Sequence, residues 1–492
     1  MTDVCCGIDL GTSGVKVSLG DRSGRLLASA TAVYPLATPS PGWAEIDPGL
    51  WWQAIAHALE RVMHDVPDAD VKAIGIDGQM HGIVLSAEGR AVRPAVLWPD
   101  SRAASMMGRW HALPVEIKAS LANPIVPGMA GPILDWLAHY EPDALAAADA
   151  ALSPKDWVRQ QLTGGPPMTD RSDASATLLW DVTTADWHWA LISALGLPSH
   201  LLPEVHSSTD ATGVVTATAA QALGLPSGIA VAVGCADAAA TLLAAQPEPG
   251  EALVIIGTGI QVIQPGITAR ADPRPRYHTF TAATGLPYAM VAPQNGGLAL
   301  GRVADLLNAS WEEFYASLDE PNMPDDLVFA PWFSSERLPA PKPAGHAGWS
   351  ELGLASTRPQ LMRSALESVA FQVRQAAESL PLPIRRARLA GGGTRSVAMQ
   401  QLLTDVLDMP TRRCDTEDVT AVGAVMLAWA CFDDQMPPSP VHVGPPRTPN
   451  PDRRLGTRYE RFLQASDRID DQNDPTRTPR PSSKEKHHVD VP

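Results

Sequence analysis

Twice along this chain a short apolar run ends in a glycine turn and leads directly into a second apolar run. The first copy is Gly7-Ile8-Asp9-Leu10-Gly11-Thr12-Ser13-Gly14-Val15-Lys16-Val17, and the second joins residues 253–256 to 260–264 through Gly257-Thr258-Gly259. Short apolar runs bounded by glycine read as strands. A theme repeated in the two halves of a chain predicts two similar α/β domains facing each other. Two such turns could clamp one polyphosphate. Gly11 and Gly14 let the backbone turn tightly and approach an anion, Thr12 and Ser13 offer hydroxyl donors, and Asp9, at a strand end, could hold a hydrated Mg2+. An ordinary hairpin is the alternative for the first copy taken alone.

The surrounding pattern is mixed α/β. Strand-like runs at 4–10, 15–19 and 26–33 read as an antiparallel meander. A 3.6-residue apolar period follows at 49–63, introduced by Asp47-Pro48. A buried-type strand at 71–76 ends in the loop Asp77-Gly78-Gln79-Met80-His81-Gly82, with another strand at 83–86. The opening theme returns after a crossover at 223–228, with a strand at 229–233. Helical periodicity occupies 359–380 and 397–407, and a strand-like run at 388–390 meets Gly391-Gly392-Gly393. The expected division is 1–228 for an N-terminal domain and 229–465 for a C-terminal domain. The Pro-, Ser- and charge-rich segment 466–492 is expected to be a disordered tail.

Composition narrows the function. Lys plus Arg is 38 against 54 Asp plus Glu, a net charge of -16, which disfavours nucleic acid and an anionic membrane as partners. A phosphate site here must rely on backbone amides and Mg2+. No Gly-Lys dipeptide occurs, so a P-loop is excluded. The cysteines, Cys5, Cys6, Cys235, Cys414 and Cys431, have neither zinc-site nor disulfide-framework spacing. Asp3 and Asp9, with no basic stretch, predict no secretory signal. Asp237 interrupts the apolar run 228–245, which therefore reads as a buried strand-to-helix junction and not a membrane span. The expectation is a cytoplasmic protein.

Several residues carry chemistry. Gly391 to Gly393, between a strand and a helix, suit a nucleotide lying against bare backbone, or form a plain turn. Asp237 sits among small uncharged neighbours, where burial raises a carboxyl pKa and suits a general base; an N-cap for the following helix is the other reading. Gln79, Met80 and His81 offer an amide, a thioether and an imidazole to a polyol. Trp98, Asp100 and Arg102 offer an aromatic platform and charged partners to a sugar, or a surface Asp-Arg pair. Asp100 and Asp77 are the fallback bases.

With these pieces assembled, the chain resembles the FGGY carbohydrate kinases, and within them the xylulokinases, from Gly7 to about Ala428. Besides the glycine elements, the resemblance rests on Gly78-Gln79-Met80-His81-Gly82, residues 93–98 with Asp100 and Arg102, and Pro154-Lys155-Asp156. It also rests on residues 162–164, Asp170 with Ser172-Asp173-Ala174, and Ser335-Glu336-Arg337. It implies two actin-like, ribonuclease H-like α/β domains, the N-terminal one sugar-binding and the C-terminal one nucleotide-binding, with ATP and sugar in the cleft between them. It also implies Asp237 as catalytic base, Asp9 near Mg2+, Gly11 to Ser13 and Gly257 to Gly259 at the phosphates, Gly391 to Gly393 at the adenosine, and Met80 with His81 at the ketose. Ala238, Ile133, Cys235-Ala236 and Ser335 depart from the family pattern. The expected activity is ATP-dependent phosphorylation of a ketopentose, D-xylulose foremost, by a chain that could form a homodimer. An actin-like ATP switch and a sugar sensor with weak transfer are the readings from other classes.

Overall fold

The computed structural model describes residues 1–336, 342, 345–416, 418–450 and 453–473. Arg337 of the Ser335-Glu336-Arg337 stretch lies outside them.

The first half begins with the meander β1 (Thr2–Leu10), β2 (Gly14–Gly20) and β3 (Leu26–Val33), all antiparallel neighbours. Helix α1 (Pro48–Asp65) starts where the Asp47 side chain accepts from Gly49 N, and it buries Trp51, Ile55, Leu59 and Val62 against the sheet. Pro48 at its first turn loses no hydrogen bond there. Strand β4 (Ala69–Gly78) then lies parallel to β1. Helices α2 (Pro154–Thr163) and α3 (Arg171–Ser175) lead to β5 (Ala211–Val214), β6 (Ala230–Ala232) and β7 (Cys235–Ala236), and α4 (Asp237–Ala245) follows at once. The sheet order is β5-β6-β4-β1-β2-β3, with β7 also paired to β4. Strands β6 and β7 find their parallel partner in the first sheet, so that sheet extends past the 228/229 division expected from the crossover.

The second half repeats the plan. Strands β8 (Glu251–Ile256), β9 (Ile260–Pro265), β10 (His278–Thr281) and β11 (Pro287–Val291) precede α5 (Gly297–Leu307) and α6 (Arg358–Glu378). Strand β12 (Arg386–Ala390), α7 (Val397–Leu407), β13 (Thr411–Arg413), α8 (Val419–Asp433) and α9 (Arg453–Asn473) complete it. The order is β10-β11-β9-β8-β12-β13. Here β8, β9 and β11 match β1, β2 and β3, while β12 and β13 run parallel to β8 as β4 and β6 do to β1.

Helix α8 joins the halves by packing on the first sheet through glycines. A Cβ on Gly75 would lie 2.1 Å from the Ala424 carbonyl, and one on Gly423 would lie 2.2 Å from that of Ala240 in α4. Only bare backbone permits so close a crossing. The C-terminal segment departs from expectation: α9 runs through 466–473, where a disordered tail was predicted, and residues 474–492 lie outside the described ones. An amphipathic face explains the helix, with Leu455, Tyr459 and Phe462 buried against Phe371 of α6.

Candidate active site

Three parallel strands deliver carboxylates to one edge of the first sheet. Register pairs Asp9 of β1 with Asp77 of β4, and Asp77 with Cys235 of β7, so Asp237 emerges one residue beyond the last pair at the start of α4. Asp237 is half-buried and accepts only from the adjacent Ala238 N, at 2.7 Å. The N-cap of α4 is Ala236, so the capping role weighed for Asp237 does not hold. Burial, and then the charge of Asp9, push its carboxyl up to about 7. Burial also raises Asp9, against the pull of Lys16, which forms an ion pair with Asp418. Asp77 is fully buried, and neither carboxylate oxygen accepts a hydrogen bond. Burial and the charges of Asp9 and Asp237 drive it well above the usual carboxylate range.

The backbone ahead of Asp237 is braced by a buried network that sequence reasoning met only as a family resemblance. Lys155 Nζ lies 2.6 Å from Asp156 and 3.2 Å from both Asp170 and Asp173. Ser172 Oγ donates to Asp170 at 2.6 Å and accepts from Ala236 N at 2.8 Å. Burial pushes Asp173 up to about 8 despite Lys155. Three separated segments meet here, and no local spacing announces it.

The glycine elements sit at the matching edges of both sheets. Gly11 N bonds the Gly14 carbonyl at 3.0 Å, closing the first turn, and Trp98 Nε1 donates to Thr12 Oγ1 at 2.8 Å. Ser13 is exposed. The second turn rests on the start of α5: Gly297 N reaches the Gly257 carbonyl at 3.0 Å and Leu298 N the Thr258 carbonyl at 2.9 Å, while Gly257 and Thr258 are exposed. Gly391 adopts φ +86°, and a Cβ there would lie 2.5 Å from the Ile256 carbonyl. The 391–393 and 257–259 turns thus abut at the ends of two adjacent parallel strands, β12 and β8.

Gln79 donates from Nε2 to the Gly11 carbonyl at 3.1 Å, and Met80 is buried. His81 holds a left-handed φ of 70°, with Nδ1 2.7 Å from the Ala176 carbonyl. A carbonyl can only accept, so Nδ1 carries the proton. Phe280 of β10 stands 5.7 Å from the His81 ring, bringing the second half over the polyol loop. Asp100 and Arg102 are corrected. Asp100 is fully buried and accepts from Ala44 N at 2.7 Å, Arg102 N at 2.8 Å and the Arg102 guanidinium at 2.9 and 2.8 Å. That leaves no acceptor for a sugar. Arg102 also reaches Glu45 at 2.7 Å and lies 3.7 Å over the Trp43 ring, so the pair is a structural anchor.

Mg2+ takes oxygen ligands, keeps several waters, and needs one or two carboxylates beside substrate phosphates. Asp9 and Asp77 fit that donor set. Among the described residues no three His, Cys, Asp or Glu side chains form a complete metal cage. Nor is any helix among them long and apolar enough to cross a membrane.

Comparison with known proteins matches this geometry. Residues 4–244 match the N-terminal domain of the FGGY family of carbohydrate kinases, and residues 282–431 match its C-terminal domain. The xylulose kinase of Escherichia coli (strain K12) is 31% identical over 86% of this chain and 89% of its own length. The glycerol kinase of Nocardia farcinica is 28% identical over 87% and 91%. The crystal structure of xylulose kinase from Rhodospirillum rubrum superposes with a TM-score of 0.83 at 26% identity, covering 95% of this chain and 99% of that one.

Proposed function

The chain belongs to the FGGY family of carbohydrate kinases, with their actin-like fold and ATP-dependent sugar phosphotransferase activity, and from that premise we propose that its acceptor is a ketopentose, D-xylulose foremost. The observation that carries this reading is the place of Asp237. It stands on the same strand edge as the first phosphate turn, with its carboxyl pushed up to about 7, where a general base works best at neutral pH.

In the proposed mechanism the sugar lies against Gln79, Met80, His81 and Trp98. Asp237 takes the proton of the primary hydroxyl as its oxygen attacks the γ-phosphorus, and the bond to the β-phosphate oxygen breaks to release ADP. The hydroxyls of Thr12 and Ser13 and the backbone at 11–13 and 257–259 hold the phosphates. The adenosine lies on Gly391 to Gly393. Mg2+, held by Asp9, would neutralise charge on the phosphate oxygens. Closure of the halves excludes water, a competing nucleophile.

A second acceptor, another ketose or polyol, is favoured by Ala238. The resemblance to xylulokinases leads one to expect an amide at this position, and the side chain is buried and apolar. Losing one neutral hydrogen bond costs about 0.5–1.5 kcal/mol, a roughly two- to ten-fold loss of affinity, too little to abolish turnover. Phosphorus NMR of the product from D-xylulose and ATP tests the assignment. A phosphomonoester on the C5 oxygen is expected. No product from D-xylulose, with efficient turnover of another polyol, would move the assignment to that polyol.

A further inference from the structure

We propose that Asp77 is a second protein carboxylate for the divalent cation, beside Asp9, so that the cation seats on the protein before the nucleotide arrives. The proposal rests on the kinase reading above and adds a residue to it.

Parallel register sets Asp9 and Asp77 side by side, and residues paired across parallel strands project to the same face. Their carboxyl groups are within hydrogen-bonding reach of one another. Asp77 is 0% exposed, and among the described residues the one group within hydrogen-bonding reach of it is the Asp9 carboxyl, itself acidic. Burying two facing carboxyl groups with no cation between them is expensive: they must share a proton or coordinate a metal.

The lysines near this edge are ion-paired with other carboxylates, although Lys16 also pulls on Asp9 from across the β1–β2 pair. Lys155 is surrounded by Asp156, Asp170 and Asp173, and Lys16 pairs with Asp418. Gln79, opposite Gly11 on the same strand edge, adds a neutral oxygen in the same condition. Its Nε2 is spent on the Gly11 carbonyl while Oε1 is buried and accepts from nothing. Oxygens in want of a cation at the mouth of the phosphate turn suit a hard divalent ion that keeps water on its open side. One carboxylate alone holds Mg2+ weakly and leaves delivery to the nucleotide. Two adjacent ones make a site that fills from solution.

The test is Mn2+ binding to the full chain without nucleotide, followed by the loss of the free Mn2+ paramagnetic resonance signal. One ion per wild-type chain is expected. Asp77→Asn and Asp77→Ser should each weaken binding by at least about 10-fold, the least that a metal site loses even with an outer partner of its ligands. Asp9→Asn, which keeps Asp77, should weaken binding without abolishing it, and the double variant should bind none. Unchanged Mn2+ affinity in either Asp77 variant overturns the proposal. So does a wild-type chain that takes up no Mn2+ without nucleotide, a result that decides the matter even if the Asp77 variants fail to fold. Sugar-stimulated ADP release from the same wild-type preparation keeps the two claims apart. Transfer with no Asp77 effect on Mn2+ removes the metal assignment and leaves the kinase intact.

Discussion

Asp237 owes its chemistry to the point at which its helix begins. Strand β7 stops at Ala236, whose N–H is held by Ser172, so the next side chain leaves the sheet edge with only Ala238 N as partner. Burial and Asp9 then keep the carboxyl near 7. Because kcat/KM reports the free enzyme, and the base acts only when ionised, kcat/KM should decline below about pH 7 as Asp237 gains a proton and level off above it. Asp237→Asn keeps size but not basicity and should lower turnover by roughly 100- to 10,000-fold, with ATP binding retained in a fluorescence titration. Near-normal turnover of this variant would pass the role to another carboxylate. The sequence made Asp237 and Asp9 legible because their contexts are local: small neighbours around one, a glycine turn beside the other. Asp100 and Arg102 misled for the opposite reason. Their partners Ala44 and Glu45 lie far back in the chain, and nothing in Trp98-Pro99-Asp100-Ser101-Arg102 shows that the pair closes on itself.

At the scale of elements, the proposed nucleotide side depends on the close approach of two turns, at Gly391 to Gly393 and at Gly257 to Gly259. Gly391 combines a left-handed φ with contact against the Ile256 backbone, the residue just before Gly257. Gly391→Val must push the two turns apart. Overpacking of this kind costs about 1–3 kcal/mol, up to roughly a hundred-fold in affinity, so KM for ATP should rise at least several-fold while KM for the sugar stays nearly unchanged. Steady-state kinetics with each substrate varied checks this, and equal changes in both would show that the turn acts on the whole cleft. Strand and helix placement was legible wherever periodicity was strong. The helix at 397–407 has the predicted bounds, and the one expected at 359–380 runs Arg358–Glu378. Helix α9 escaped because Leu455, Tyr459 and Phe462 are few among charged neighbours and gain meaning only from the groove of α6 that receives them.

At the scale of the molecule, two halves of one plan are tied together by α8 and by contacts from β10 to the first half, where Thr279 exchanges hydrogen bonds with Asn123 and Thr281 N reaches Ser175. The repeated glycine turn disclosed the duplication, but not that α8 crosses back onto the first sheet, because its glycine contacts lie hundreds of residues apart. Helix α9 locks the second half through Arg458, buried against Glu367 at 2.8 and 3.0 Å. Ending the chain after Asn473 should leave Tm and turnover unchanged. Ending it before Arg453 should lower Tm, because Glu367 keeps only Arg363, at 2.9 Å, and loses the Arg458 guanidinium, while Phe371 loses the aromatic cover of Tyr459 and Phe462; thermal melts of the two truncations read the difference. The central claim is that both halves serve one transfer, from ATP bound on the glycine turns to a sugar hydroxyl at Asp237. Its most direct test is coupled ADP release by the full chain with Mg2+ and ATP, with and without D-xylulose and a panel of ketoses and polyols. Release that depends on a sugar, with D-xylulose among the active ones, is the predicted result; ADP release that proceeds equally without any sugar, or none with every sugar tested, would contradict it.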